Sequence, residues 1–427
     1  MKRLDFLYLF PIIIVLSILL VNFMAFLAYS GLILGFEYNI NYIEPYVFQD
    51  TVRMYEESRL YTDIFERPFT VTLYPPVYYL FSALPMLFIG KSLIVGRAVS
   101  FISALLIGLI IYKIIHNETS NRSISLISFL LFFVSEYVFR WSTLFRVDML
   151  GILFTALGVY FILYYKKSKN NCYFSIIFFI LAIFTKSELI LGPIAACIYL
   201  FLNHERSLTK IIFIYMISLT AFILILENMT RSEYVLHTLI YSIPGINYSF
   251  EFFFEKIFLF FQKNLLFIIG GTYILIKRKP PFLCIYLILI LISLIKIGKT
   301  GSDTNYYLEL MFVLTIGTAL LIYEIIKNKN KWQNMKMLLV FVFIFLVIFP
   351  SPLGKDTPEG YPFNVYEKST LIESLDPTNF FNFYHYVEEN LKEYSDIMKK
   401  TEEYLIDKNS SFIEGYSVGI NKNKDIE

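Results

Sequence analysis

The sequence predicts an all-helical protein that crosses a membrane many times, with one large loop near its start. Three observations carry this. First, 57% of the 427 residues are hydrophobic and the mean hydropathy is +0.60, whereas soluble domains sit nearer 45–50% apolar. Second, apolar runs recur along residues 6–349, broken by short polar connections. Third, Lys and Arg gather in alternate connections, the pattern of a polytopic membrane protein. The net charge of +2 gives no footing for a nucleic-acid partner. Cys172, Cys197 and Cys284 fall in or beside apolar runs, with neither metal-ligand spacing nor a disulfide framework.

Taken in order, a short basic start with Lys2 and Arg3 leads into a first span over residues 6–27, read as retained because no small-residue cleavage site clearly follows it. Residues 36–92 form the large first loop. Pro45 suits the first turn of a helix, which predicts a surface helix over 45–59. Pro75 and Pro76 open a second helix, YPPVYYLFSALPMLF, placed at the interface because Tyr prefers headgroup depth. Further spans are expected over 93–115, 124–139, 149–165, 173–185, 189–202, 211–226, 257–276, 282–297, 307–325 and 337–349, about eleven in all. Several fall below the ~20 residues that cross a bilayer untilted. A transmembrane domain over 1–350 is thus followed by a small tail over 351–427, linker-like at first and then helical near 384–407.

Under this count Lys2/Arg3, Lys113/Arg122, Lys166/Lys167/Lys169, Arg206/Lys210, Lys277/Arg278/Lys279 and Lys327/Lys329/Lys331/Lys336 share one side. That side is the cytoplasm. The expected location is the plasma membrane, with the N-terminus inside and the first loop and the tail outside.

Ionisable groups at membrane depth are costly and point to function. Glu44, ahead of Pro45, is either a general base or a helix N-terminal carboxylate favoured by the dipole. Asp50, Arg53 and Glu57 share a helix face, as a site or as a solvated face. Asp63 and Glu66 lie in a turn-like segment, LYTDIFERPF, and either could face a site. Arg146 and Asp148, in FRWSTLFRVDML, could bind a phosphate, or form a local ion pair and an N-cap. Lys186 and Glu188 interrupt an apolar hairpin, where the cation could hold a lipid phosphate or snorkel. Lys299 sits among Gly298, Gly301 and Ser302, as a cation in a flexible loop or in an ordinary turn. Glu309 is near membrane depth and needs a partner. His204 and His237 stand alone in different loops, so no metal site is assigned to them.

The order of elements resembles the membrane glycosyltransferases of the GT-C superfamily. Within it, the chain is similar to the dolichyl-phosphate-mannose protein mannosyltransferases and the aminoarabinose transferase of lipid A. The resemblance rests on an early acid in the first loop (YIEPYVFQD), the stretch RLYTDIFERPF, the YPP helix containing Tyr74, and VGRAVSF. It continues through FRVDMLGILF, FTKSELILGP and GSDTNYYLEL, the last containing Asn305 and Glu309. It implies a sugar donor on a polyprenyl phosphate, membrane lipids around the site, and a glycan, lipid or protein acceptor in the cell envelope. Transfer would proceed with inversion, an acid of the first loop acting as base or orienting the acceptor. By position Glu44 matches that acid. Ile43 stands where relatives carry the first of an Asp-Glu pair, which leaves Asp50, and after it Asp63, as candidates. Arg146, Asp148, Lys186, Lys299, Tyr74, Asn305 and Glu309 are the implied substrate-binding residues. Some relatives use a divalent cation and others do not, and no clear ligand set is visible here. The competing readings are a transporter or lipid flippase, against which the absence of a visible repeat argues, and a non-catalytic envelope-assembly protein. On the enzyme reading, Glu44→Gln is expected to stay folded and lose transfer.

Overall fold

The computed structural model describes residues 2–327 apart from 66–69, 169, 206–207, 242–246, 278–280 and 300, together with 385, 388–389, 391–392 and 394–400. The expected eleventh span and most of the tail lie outside the described residues. Among the described residues every regular element is helical; the one β-bridge joins Tyr248 and Lys299.

The first helix, α1 (Lys2–Gly35), is apolar almost throughout. At 1.5 Å per residue it is longer than the ~30 Å hydrocarbon core, so its C-terminal end reaches the first loop. That loop holds α2 (Glu44–Glu57), with Pro45 in its first turn and Ser58 closing it in a left-handed conformation. Pro75 and Pro76 precede α3 (Val77–Ile89), which stops at Gly90, where φ is +82° and glycine is the natural residue. Next comes α4 (Leu93–Thr119), capped by the Ser92 hydroxyl, which accepts from the Ile94 N–H.

The expected third span is two helices, α5 (Arg122–Phe132) and α6 (Glu136–Trp141). The chain turns at Phe133 and is extended at Ser135, and the restart carries Arg140 and Trp141 towards the loop end of the bundle. Then follow α7 (Asp148–Leu163), α8 (Asn170–Ile183), α9 (Leu191–Leu202) and α10 (Leu208–Met229). The second polar interval contains α11 (Glu233–Val235), which runs into a π-helical turn, Leu236–Ile240. The expected eighth span is also divided, into α12 (Phe250–Lys263) and α13 (Leu265–Lys277). Asn264 breaks it: its side-chain amide donates to the Phe260 carbonyl and competes with the backbone ladder. The described bundle closes with α14 (Pro281–Ser293), 3-10 turns at Leu294–Gly298 and Thr304–Tyr306, and α15 (Tyr307–Lys327).

Among the described residues, four helices are long and apolar enough to cross a membrane unaided, and six shorter apolar helices accompany them. The chain is embedded in a membrane. The core is built on α15, buried along most of its length and packed against α4, α5 and α13. By contrast, α10 is apolar yet has few buried residues: Ile214, Leu219, Ile223 and Leu226 pack against the core, while Phe213, Met216, Leu224 and Ile225 are exposed. A Cβ at Gly270 of α13 would overlap the Thr318 backbone of α15, the close approach that small residues permit between helices in lipid. Gly270→Ala is expected to cost about 1–3 kcal/mol by forcing the helices apart, read as a lower Tm of the solubilised protein; an unchanged Tm would contradict this packing.

Candidate active site

The first loop is pinned to the bundle by a buried ion pair that closes a ring of five segments. Arg97, in the second turn of α4, is fully buried. Its Nε donates to Glu44 Oε1 and its Nη2 to Oε2, both at 3.0 Å, the bidentate geometry that suits guanidinium and carboxylate. Nη1 also donates to the Ile33 and Phe36 carbonyls (2.8 and 2.6 Å), and Nη2 to that of Tyr38 (2.7 Å). Glu44 further accepts from the Ile40 and Phe145 N–H groups (2.9 and 2.7 Å). The pair therefore ties the end of α1, the following turn, α2, α4 and the turn before α7. All four donors to Glu44 come from the fold itself, and Glu44 lines no cavity.

Beside this pin, α2 and the stretch 70–74 enclose a cavity of about 460 Å3. Its wall is mostly apolar and aromatic, with Tyr42, Tyr46, Tyr74 and Tyr79 around it and Gln49, Asp50 and Thr70 as its other polar groups. Asp50, on the second turn of α2, is 6% exposed. Burial pushes its carboxyl from 3.8 up to about 7; Arg53 and hydrogen bonds from Thr72 and Tyr79 offset only part of that. Arg53 Nη2 lies 3.3 Å from Asp50 Oδ1 and donates to Thr70 Oγ1 at 2.9 Å, and the Tyr79 hydroxyl donates to Asp50 Oδ2 at 3.3 Å.

His237, from the π-helical turn, holds the cavity's far wall. Its Nδ1 accepts from the Thr72 N–H at 3.0 Å, so the proton is on Nε2, which donates to the Thr62 carbonyl at 2.7 Å. Burial lowers its pKa, and a second proton would set an N–H against the Thr72 N–H. No pattern in the sequence marks this histidine.

Behind Tyr74 lies a cluster of charges. Arg146 Nη2 donates to the Tyr74 hydroxyl at 3.3 Å and Nη1 to Asn41 Oδ1 at 3.0 Å, while Nε stands 3.5 Å from Asp148 Oδ2. The Arg146 guanidinium also lies over the Trp141 ring, 4.9 Å from its centroid. Asp148 is the first residue of α7 and caps nothing; its Oδ1 accepts from Lys186 Nζ and from Asn305 Nδ2, each at 2.8 Å. Lys186 is 3.7 Å from Glu188, whose Oε1 accepts from the Tyr306 hydroxyl at 3.1 Å. Asp148, Lys186, Glu188, Asn305 and Tyr306, with Lys296 and Glu309, line a polar cleft of about 30 Å3, large enough for water. Buried there, Asp148 Oδ2 and Asn305 Oδ1 have no hydrogen-bond partner among the described residues.

The structure thus brings together Tyr74, Arg146, Asp148, Lys186, Asn305 and Glu309, drawn from four separate stretches of sequence. The partner that Glu309 needs is the Tyr286 hydroxyl. Asp63 is exposed and accepts from the Phe65 N–H at 2.9 Å in a turn of its own, and Lys299 lines neither cavity nor cleft. Glu66 lies outside the described residues. Lys296 was missed, although it interrupts an apolar run as Lys186 does; Tyr42 and Tyr79 gave no signal beyond composition. No group of three or more His, Cys, Asp or Glu side chains among the described residues could hold a metal ion.

Tyr74, Arg146, Asp148 and Lys186 also fall within one matched stretch. Residues 74–230 match the dolichyl-phosphate-mannose-protein mannosyltransferase family. The match begins at Tyr74, so Glu44 and Asp50 lie ahead of it and Asn305 and Glu309 beyond it. The fold is similar to that of ArnT from Cupriavidus metallidurans bound to undecaprenyl phosphate, with a TM-score of 0.57 and 11% identity. It is likewise similar to ArnT in the apo state, with a TM-score of 0.55 and 11% identity. Each alignment covers 74% of this chain and 62% of the ArnT chain. No curated protein matches. The resemblance to GT-C membrane glycosyltransferases holds in the matched stretch and in the fold.

Proposed function

We propose that the chain transfers a sugar from a polyprenyl-phosphate donor to a hydroxyl of a cell-envelope acceptor at the outer face of the membrane, with inversion and with Asp50 as general base. One observation carries this: Tyr74 lines the cavity that holds a carboxyl of pKa about 7, and its hydroxyl meets the Arg146 guanidinium of the charge cluster behind it. A base in the cavity wall and a cation one side chain behind that wall are thus linked through Tyr74.

In the proposed step the acceptor hydroxyl gives its proton to an Asp50 oxygen while its own oxygen bonds to the anomeric carbon. The bond from that carbon to the phosphate oxygen breaks, and polyprenyl phosphate leaves with the electron pair. A base with a pKa near the working pH is well matched to this task. Arg146, fixed by Asn41 and Tyr74 and reinforced by Lys186 through Asp148, supplies preorganised positive charge for the leaving phosphate. The alternating Lys and Arg loops support placing this end of the bundle outside. Glu44, with four donors already in place, acts in this reading through the fold.

Arg146→Lys keeps a charge but loses the planar fork. It is expected to lower kcat/KM for the polyprenyl-phosphate sugar about 100-fold with folding retained, and NMR of the wild-type product should show the inverted anomer. Unchanged kcat/KM, or a retained anomer, would count against the assignment.

A further inference from the structure

The cavity beside Asp50 also bears on the nature of the acceptor. Tyr42 and Tyr46 stand at its rim, 56% and 62% exposed, and Tyr74 and Tyr79 line it deeper. Each ring offers an apolar face and a polar tip. Gln49 and Thr70 add neutral donors and acceptors. A sugar ring, with an apolar C–H face and a rim of hydroxyls, matches that mixture. At about 460 Å3 the space lies towards the small end of ligand clefts, which run from about 300 to 1,000 Å3.

Charge narrows the class further. Among the described residues, Asp50 is the one Asp, Glu, Lys, Arg or His side chain in the wall. A phosphate or carboxylate on the acceptor would enter an apolar space beside a carboxyl, with no cation among the described residues that line it, a like-charge arrangement that is disfavoured. A cationic acceptor gains little, because Arg53 is already paired with Asp50. We infer that the cavity receives an uncharged saccharide and that the acceptor is a neutral glycan. The inference rests on the transferase reading for the word acceptor, and on the cavity alone for the word saccharide.

Binding without turnover separates the two. The full chain in nanodiscs, with no sugar donor present, is titrated with methyl glycosides of neutral hexoses, pentoses and N-acetylhexosamines and their disaccharides, followed by ligand-observed NMR. At least one is expected to bind, and Tyr46→Ala to weaken it about tenfold through lost stacking. Tyr46→Leu should weaken it less, and both variants should fold because the ring is exposed. Dodecyl phosphate should not displace the saccharide. The inference is overturned if no neutral glycoside binds, if only phosphorylated sugars bind, if Tyr46→Ala binds as wild type does, or if a Ser/Thr peptide competes. Displacement by a dodecyl-phosphate hexose would give the cavity to the ring of the sugar donor and overturn it too. Saccharide binding in a chain that never releases polyprenyl phosphate would sink the transferase reading and leave the saccharide site standing.

Discussion

Asp50→Asn is expected to lower turnover by about 100- to 10,000-fold, the range of a lost general base, while the protein folds and binds its lipid donor. The substitution preserves shape and removes the proton acceptor. Its effect on stability has the opposite sign from that of a carboxylate whose ion pair lowers its pKa. Burial raises the Asp50 pKa from 3.8 to about 7, so the folded state favours the neutral acid. The contribution of the acid is present in full below pH 3.8 and is lost as the pH rises through about 7. An amide, which never ionises, should therefore make the variant at least as stable as wild type at pH 8. In the wild type, kcat/KM should fall tenfold per pH unit below about 7 and level off above it, since the base must enter deprotonated. A Tm series and a pH–rate profile read these two outcomes.

Arg97→Met is expected to abolish folding. It would strand the Glu44 carboxylate in a fully buried site and leave the Ile33, Phe36 and Tyr38 carbonyls without their donor. Breaking a buried pair costs about 3–5 kcal/mol, and each orphaned buried group adds about 1–3. A domain has only about 5–15 kcal/mol in hand. Glu44→Gln should also be destabilised, because a Gln amide N–H₂ would face one of the four N–H donors that now point at the carboxylate. This replaces the expectation drawn from sequence, that Glu44→Gln stays folded and merely loses transfer. Size-exclusion profiles of both variants, made with Asp50→Asn as the folded control, decide the matter.

Much of the fold was legible because hydropathy and prolines write it directly. Helix α2 follows from Pro45, α3 from Pro75 and Pro76, and α4 from the apolar run after Ser92. The breaks at Ser135 and Asn264 were not legible, since Ser135-Glu136 and Gln262-Lys263-Asn264 are short polar steps that a long helix also accommodates. Arg146, Asp148 and Lys186 were found because charge in an apolar context must be answered by charge. Their pairing across 38 residues could not be read from spacing. The roles proposed for Glu44 and Asp50 rest on three-dimensional facts: which carboxylate meets Arg97, and which meets a cavity. Arg97 was visible as an arginine within a span, yet its partner lies 53 positions away.

The measurement that bears most directly on the central claim is release of free polyprenyl phosphate by the purified chain in nanodiscs. It would use radiolabelled polyprenyl-phosphate hexoses and pentoses, with an envelope extract as acceptor. Release that requires the extract in the wild type and falls at least 100-fold in folded Asp50→Asn is the predicted result. No release with any donor from folded protein, or equal release by Asp50→Asn, would contradict the account.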